Sequence, residues 1–544
     1  MRAPLARRAL LEASRWAALA MSAPARRAFE RSLEDPARAQ DTVLRRAVAG
    51  LEGTRYGASL GIRADDGYSE FAAKVPIVDY EALRPWLDEQ LAHENRALTP
   101  GPTRFYERTS GSSGGAKDVP YGDALWGTFQ RAFTLWLGDL LRRGQRLETG
   151  RCWISVSPWA APGRTTDRGV RVGLDDDGEY VRGPLGSMLR LFWTVPPGVR
   201  AVSDPEDYKR VVAAHLLADE DLEVVSVWNP TLFLLLLETM LARRDELLAE
   251  LDHGETRAGN LAFPLARYGL RRRELLRSVL SAPRVEDADW LAVWPRLKLI
   301  SCWDMGEARH PARALAARFP GVFLQGKGHL ATEAAVTIPW IEAGVCLPLV
   351  DSVFLEFEER GGRVRRLHEL VEGEEYALIL TAEGGFARYR LGDRVRAGAR
   401  FRGTPALELA GRCDAVSDLV GEKLEAGFVS AALDGLGTGA AFRALVPVHE
   451  SGERAYYSLI LDRAPDSSED ASAALDAALR RSPLYDHARL LGQLAPPSVR
   501  VVSDAAERFV RFHAGRGARW GGVKPAALVL DAEQGRELLR SMGV

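Results

Sequence analysis

The chain has 544 residues, which exceeds the size of one ordinary hydrophobic core and predicts roughly two to four domains. Hydrophobic residues make up 46% and charged residues 27%, so the composition excludes a wholly disordered protein. The 72 basic and 74 acidic residues give a net charge of −2, and no net positive field favours nucleic acid or an anionic membrane as a partner.

The cysteines and the apolar runs indicate the compartment. Cys152, Cys302, Cys346 and Cys413 show no CxxC spacing, which disfavours a disulfide framework and a structural zinc site. The longest apolar run, residues 232–237, is far too short to span a membrane. No uninterrupted apolar segment follows the N-terminal arginines, so they do not read as a signal peptide. We therefore expect a cytoplasmic enzyme with no membrane partner.

The first 60 residues are predicted to be helical. Residues 5–21 and 41–51 place apolar side chains three and four positions apart, with arginines on the opposite face. The same spacing predicts a helix through residues 126–140, and a strand follows at residues 152–156. Two further helices are expected to start at Asp204 and Asn229, because each is an N-cap residue followed by proline.

The second half of the chain contains two further types of predicted structure. A strand, a helix and a strand are predicted in succession at residues 297–303, 312–319 and 321–325, and this order implies a parallel sheet. From about residue 350, strands follow one another closely. Beyond residue 412, about 130 residues read as a compact α+β unit, small enough to be a separate domain. We predict a large domain over residues 1–412 and a small domain over residues 413–544.

A loop of glycines and hydroxyls, TSGSSGGAK, occupies residues 109–117. Glycine lets backbone N–H groups approach an anion, hydroxyls add donors, and lysine supplies a mobile positive charge. The loop lacks the GxxxxGK[ST] spacing, which disfavours a Walker-type loop. On this segment alone, a flexible surface turn fits equally well.

Four other segments favour a phosphate-binding function. Thr332 and Glu333 follow a predicted parallel strand, at the end where ligands bind in α/β sheets. Asp393 is expected directly after an arginine-rich strand, and residues 411–424 follow as a connector. Lys524 stands between glycines and a proline near the C-terminus. Taken singly, each of these residues would be interpreted as an ordinary strand-end, turn or surface residue. Their combination in one chain favours one common site.

In this order, the segments resemble the Gretchen Hagen family of acyl-acid amido synthetases, which belongs to the superfamily of acyl-adenylate-forming enzymes. The resemblance covers nearly the whole chain and includes residues 226–231 and 298–303. It implies an α/β fold. A large N-terminal domain with mostly parallel sheets and a β-rich subdomain would carry a small, mobile α+β C-terminal domain.

The resemblance also implies the reaction. ATP and Mg²⁺ would be used to adenylate a small-molecule carboxylic acid with release of pyrophosphate, and the acyl group would then pass to an amine, for which the resemblance suggests an amino acid. Attack by a carboxylate on the α-phosphorus brings anion to anion, so Mg²⁺ and lysine would neutralise charge. Two alternatives remain: transfer to a thiol of coenzyme A or a carrier protein, and a nucleotide-binding protein without turnover.

Site residues carry over from the resemblance by position. The nucleotide-binding residues are Ser110, Gly111, Ser112, Ser113, Gly114, Lys117, His329, Tyr389, Asp393 and Arg412. The catalytic residues are Thr332, Glu333 and Lys524. Glu333 would hold Mg²⁺, Asp393 would accept the ribose hydroxyls, and Asp414 would be the hinge. His329 takes the place of an adenine-stacking aromatic residue. Trp126, Phe129, Phe133 and Trp136 either line an acyl pocket or belong to the core.

Overall fold

The computed structural model describes residues 5–93, 96–108, 117–155, 164–173, 190–413, 415–449, 454–465, 471–516, 518 and 523–544. Its α-helices are α1 (Leu5–Ser32), α2 (Pro36–Glu52), α3 (Arg55–Ser59), α4 (Tyr68–Lys74), α5 (Tyr80–His93), α6 (Asp123–Arg143), α7 (Pro205–Ala218), α8 (Pro230–Ala242), α9 (Arg244–His253), α10 (Leu270–Leu280), α11 (Trp290–Val293), α12 (Arg309–Arg318), α13 (Ala426–Gly435), α14 (Ala471–Leu479), α15 (Pro483–Leu490), α16 (Ala505–Gly515) and α17 (Ala532–Met542). Over these residues, none of the helices combines the length and the apolar character that crossing a bilayer requires.

The strands are β1 (Phe105–Arg108), β2 (Asp118–Tyr121), β3 (Cys152–Ile154), β4 (Arg164–Thr165), β5 (Arg171–Val172), β6 (Val224–Ser226), β7 (Glu255–Ala258), β8 (Leu261–Pro264), β9 (Leu299–Ser301), β10 (Phe323–Gln325), β11 (Thr337–Trp340), β12 (Val345–Pro348), β13 (Phe354–Glu358), β14 (Val364–Arg366), β15 (Glu375–Thr381), β16 (Tyr389–Phe401), β17 (Thr404–Arg412), β18 (Val416–Ser417), β19 (Leu424–Glu425), β20 (Arg443–Val448), β21 (Tyr456–Leu461) and β22 (Ser498–Val501).

The predicted parallel sheet is present. Its strands lie in the order β10-β9-β6-β3, and every neighbouring pair is parallel. The predicted helix starts beside it are confirmed, because the side chain of Asp204 accepts from the backbone of α7 and that of Asn229 accepts from the backbone of α8. Both helices pack against the sheet in one hydrophobic core.

A five-stranded antiparallel sheet, in the order β14-β13-β15-β16-β17, forms the predicted β-rich part. Our expectation that Asp393 follows its strand is wrong, because β16 continues through it to Phe401. The ladder with β15 shifts register here, so Ala377 pairs with Arg394 while Ile379 pairs with Arg390. Gly392 adopts φ +84° within this bulge. The bulge therefore sets the direction of the Asp393 side chain.

The start of β16 is held by a buried ion pair. Arg388 donates to both carboxylate oxygens of Glu356 on β13, at 3.0 and 2.9 Å, and the two side chains are 9% and 1% exposed. Its other terminal nitrogen donates to the carbonyls of Ala72 and Val75. Because every charged group is bonded, the pair ties α4, β13 and β16 together next to Tyr389.

Residues after 412 form a smaller unit, called here the C-terminal region. A sheet in the order β20-β21-β22 carries helices on both faces, and each face has its own hydrophobic core. Strands β20 and β21 pair antiparallel, and residues 450–453 between them lie outside the described residues. The boundary at residue 412 coincides with the end of β17 and stays a prediction.

The C-terminal region packs against α8 of the larger part of the chain. Leu235 of α8 belongs to the same apolar cluster as Phe442 and Phe509. Beside this cluster, the buried Lys209 lies 3.5 Å from Glu507. The interface therefore combines a small apolar centre with ion pairs, one of them made by a buried lysine.

A small cavity with acidic groups lies in this interface. Glu238 of α8 and Asp462 of the C-terminal region both line it. Glu238 keeps an exposed surface on the cavity side, while the protein packed around its carboxyl reduces the hydration of the charged form. Burial, followed by the charges of Asp462 and Glu507, raises the pKa of Glu238 to about 7, against the opposing effect of Lys209 and Arg318. The pKa of Asp462 is also raised, mainly by burial.

We predict that Arg388→Met lowers the free energy of unfolding by about 3–5 kcal/mol, because it leaves the Glu356 charge buried without its partner. Arg390→Met is the matched control: Arg390 pairs with Glu358 on the same two strands but is 41% exposed, so its loss should cost under about 1 kcal/mol. Urea denaturation measures both. Equal losses in the two variants would contradict the structural role of Arg388.

Glu238→Gln should stabilise the fold at pH 8 and change it little at pH 5. The folded pKa of about 7 lies above the ordinary value of 4.5, so the stability that Glu238 contributes is complete below pH 4.5 and is lost as the pH rises through 7. Because water screens the group, we expect a gain on the order of 1 kcal/mol at pH 8. Urea denaturation at both pH values, with the exposed Glu274→Gln as control, tests this; a pH-independent gain would refute it.

Candidate functional site

The loop between β10 and β11 carries three of the predicted site residues, His329, Thr332 and Glu333. The backbone N–H of His329 donates to the hydroxyl of Thr337 at 2.8 Å. Gly328 before it adopts φ +74°, and a Cβ there would collide with the carbonyl of Thr337. The Tyr121 hydroxyl donates to the carbonyl of Thr332 at 2.6 Å. The loop is thus fixed between β11 and β2.

Asp393 lies at the centre of the site with partners on both oxygens. Its Oδ2 is 2.7 Å from Nε2 of His329, and its Oδ1 is 3.4 Å from a guanidinium nitrogen of Arg412, its opposite residue in the β16–β17 ladder. The side chain is 13% exposed. Burial acts to raise the pKa of Asp393, but His329, Arg412 and Lys524 outweigh it and hold the pKa below its ordinary value.

Glu333 forms a second buried carboxylate close by. The Tyr389 hydroxyl donates to Glu333 Oε1 at 3.2 Å, and Glu333 is 6% exposed. Burial raises the pKa of Glu333, and the charge of Lys117 and the Tyr389 hydrogen bond oppose this rise. Lys117 Nζ also lies 5.0 Å from the ring of Tyr80. A buried carboxylate with a lysine in electrostatic range is suited to binding cations or phosphates.

Lys524 reaches the same place from the C-terminal region. Its Nζ lies 4.1 Å from the ring centroid of Trp303, which follows β9. Its charge contributes to the lowered pKa of Asp393. Next to it, the Asn229 side chain donates to the carbonyl of Val523. The far C-terminal part of the chain is thus docked over the ends of the parallel strands.

The structure therefore brings together most of the predicted site residues. Those that converge are Lys117, His329, Glu333, Tyr389, Asp393, Arg412 and Lys524, with Thr332 held beside them by its carbonyl. The loop residues Ser110, Gly111, Ser112, Ser113 and Gly114, and the predicted hinge residue Asp414, lie outside the described residues. The strands on either side of the loop, β1 and β2, pair antiparallel from Arg108 and Asp118.

Sequence reasoning missed the aromatic side chains at the ends of the parallel strands. Trp228 and Trp303 each stand two residues beyond a strand, and their rings lie 5.5 Å apart. The repeated SVW and SCW segments were the signal for them. Of the helix aromatics whose role was open, Trp126 and Phe129 are buried in the core, whereas Trp136 is only half-buried.

Family models match two parts of the chain. The model of the GH3 family N-terminal domain matches residues 25–323, and that of the GH3 family central domain matches residues 346–412. A probable indole-3-acetic acid-amido synthetase, GH3.12 of Oryza sativa subsp. japonica, is 23% identical over 450 residues, 71% of this chain and 70% of that protein. A GH3 domain-containing protein of Homo sapiens is 26% identical over 281 residues, 47% of this chain and 52% of its own.

Solved structures share the fold. A GH3.15 acyl acid amido synthetase superposes with a TM-score of 0.79 at 17% identity, covering 94% of this chain and 95% of that chain. A 2-hydroxyisobutyryl-CoA ligase in the postadenylation state superposes with a TM-score of 0.57 at 15% identity, covering 94% and 93%. The expected α/β architecture of an adenylate-forming enzyme is confirmed.

Proposed function

The chain belongs to the GH3 family, and we propose that it adenylates a small carboxylic acid with ATP and then transfers the acyl group to an amino acid. The rice relative, an amido synthetase by its name, supports the amino acid as acceptor. One observation carries the proposal. Three cations from separate parts of the chain, Lys117, Arg412 and Lys524, meet at the buried carboxylates Asp393 and Glu333.

In the proposed first step, a carboxylate oxygen of the acid attacks the α-phosphorus of ATP, and the bond to the pyrophosphate oxygen breaks. Both reactants are anions, so positive charge must be in place before they meet. Lys524 and Lys117 supply that charge on the two sides of the site. The loop residues 110–114 would add backbone N–H donors to the phosphates.

Asp393 is proposed to bind the ribose. A carboxylate offers about four acceptor positions, so it can accept two ribose hydroxyls while it keeps its contacts with His329 and Arg412. Its lowered pKa keeps it ionised, which strengthens these hydrogen bonds. The ring of His329, fixed by Asp393, would face the adenine.

The donor set fits a magnesium ion that arrives with the nucleotide. Glu333 is a buried carboxylate whose pKa is raised by burial, so a cation beside it would favour its charged form. In the described part of the chain, no group of three or more His, Cys, Asp or Glu side chains could form a metal cage. Mg²⁺ is usually held by one or two carboxylates plus substrate phosphates, where it neutralises phosphate charge. Glu333 would be that carboxylate.

In the proposed second step, the amine nitrogen attacks the acyl carbonyl, AMP leaves, and the nitrogen loses a proton to give the amide. The acceptor needs access to the face that Lys524 covers. Movement of residues 413–544 about Arg412 and Asp414 would provide that access, since the long strand β17 ends at Arg412.

The test is magnesium-dependent release of pyrophosphate from ATP over a panel of aryl and aliphatic acids, followed by mass analysis of the product with amino acids or coenzyme A. Acid-dependent release with an amide product is expected. A thioester product would show that the acceptor is a thiol and not an amine. Binding of ATP without release with any acid would contradict the proposal and favour a nucleotide-binding protein without turnover.

The cytoplasm is the compartment we propose for this reaction. All four cysteines, Cys152, Cys302, Cys346 and Cys413, are free thiols, as expected of a protein kept in a reducing environment. ATP is available in the same compartment.

Lys524→Ala should slow adenylation about 100-fold or more, because a charge that faces the reacting phosphates is lost. The measurement is acid-dependent pyrophosphate release, with circular dichroism to verify the fold. Arg540→Ala, which removes an exposed cation from helix α17 of the same region, is the control and should retain the wild-type rate. Unchanged adenylation in the Lys524 variant would refute its role.

Asp393→Ala should raise the dissociation constant of ATP about 10- to 100-fold, because its charged hydrogen bonds to the ribose hydroxyls are lost. Isothermal titration calorimetry measures this with the full chain. Asp65→Ala, at an exposed aspartate, should bind ATP like the wild type. If both variants bind ATP equally well, Asp393 does not hold the ribose.

A further inference from the structure

Three polar side chains form a row across the ends of the parallel strands. Ser226, Ser301 and Gln325 are the last residues of β6, β9 and β10, and the pairing of these strands sets them side by side in register. Side chains alternate along a strand, so the residues two positions further on lie on the same side as this row. Those residues are Trp228, Trp303 and Lys327.

Lys327 is held between two indole rings. Its Nζ donates to the hydroxyl of Ser226 at 2.8 Å and lies 5.0 Å from the ring of Trp228 and 5.8 Å from the ring of Trp136 on α6. The indole N–H of Trp136 donates to Gln325 at 2.8 Å, which fixes the second ring. We call Trp136, Trp228, Trp303 and Lys327 the tryptophan pocket.

These tryptophans differ from those of the core. Trp153, Trp290, Trp294 and Trp340 are at most 1% exposed. The three of the tryptophan pocket are each half-buried, as is Lys327. Indole surface that core packing would have buried is therefore left accessible around a positive charge.

Ser301 adds a polar group that lacks a partner. It is fully buried in the middle of the row, and its hydroxyl has no hydrogen-bond partner among the described residues. A buried hydroxyl left unbonded lowers stability, so such groups are commonly satisfied by a ligand or a water. The row thus offers a ligand one more donor and acceptor beside Lys327.

The pocket suits one chemical class of ligand. Flat indole faces favour a planar ring, and an ammonium group partly shielded from water favours an anionic substituent on that ring. We infer that the tryptophan pocket binds the acyl part of the acid substrate, and that Lys327 selects aromatic acids carrying a second anionic group. This inference rests on the proposed adenylation function.

The position of Lys524 identifies the occupant as the acid rather than the acceptor. Lys524, from the C-terminal region, lies against the ring of Trp303. The remaining members of the pocket, Trp136, Trp228 and Lys327, belong to the larger part of the chain. In the proposed reaction, Lys524 is in place for the first step, when the acid must already be bound. The amine enters only after pyrophosphate has left.

The experiment compares binding of benzoate with binding of the three benzenedicarboxylates and of sulfobenzoate to the full chain without ATP, by isothermal titration calorimetry. For the wild type we expect at least one dianion to bind 10-fold or more tightly than benzoate. Lys327→Met should abolish that preference by weakening the binding of the dianion more than that of benzoate, and Lys327→Arg, which restores the charge, should regain part of it. Thermal melting verifies that both variants fold.

Two results would overturn the inference: no dianion preferred by the wild type, or the preference kept in Lys327→Met. Pyrophosphate release with the same acids separates this inference from the proposed function. If the chain prefers a dianion in binding but releases pyrophosphate with none of the acids, adenylation is refuted and the pocket assignment is kept. If it releases pyrophosphate but binds benzoate and the dianions equally well, adenylation is kept and the role of Lys327 is refuted.

Discussion

The buried carboxylate of Asp393 is the constraint on which the rest of the site depends. An ionised group at 13% exposure needs compensating partners, and each of its partners comes from a different part of the fold. His329 belongs to the loop after the parallel sheet, Arg412 ends the antiparallel sheet, and Lys524 comes from the C-terminal region. The site is therefore complete only where these three parts meet, and all three help to keep Asp393 ionised.

One of these partners must be able to leave if the proposed second step is to occur. The contact between the C-terminal region and the rest of the chain is suited to this, because ion pairs such as Arg511 with Glu206 are largely exposed and contribute little. The cavity at Glu238 and Asp462 adds a further cost to closure at high pH, since both carboxylates are disfavoured as charges there. A weak interface of this kind allows docking and release at a small free-energy difference.

Local sequence signals predicted the elements, and the resemblance predicted the site, but neither predicted the contacts that hold them. Asp204 and Asn229 start helices through bonds within four residues, so their pattern could be read directly. Arg388 looks like any strand arginine, and only the register of β13, β15 and β16 places it on Glu356. The stacking of Lys524 on Trp303 joins residues far apart in the chain. Such pairs depend on tertiary packing, which hydrophobic periodicity does not encode.

One loop after β10 joins the inferred choice of acid to the proposed chemistry. Lys327 precedes Gly328, whose positive φ and close approach to Thr337 turn the chain away from the tryptophan pocket. Thr332 and Glu333 follow, fixed by Tyr121 and Tyr389. Because the bonds that fix the second half of the loop do not involve Lys327, its side chain can change without moving Glu333. Acid preference could thus diverge in this fold while the adenylation geometry is kept.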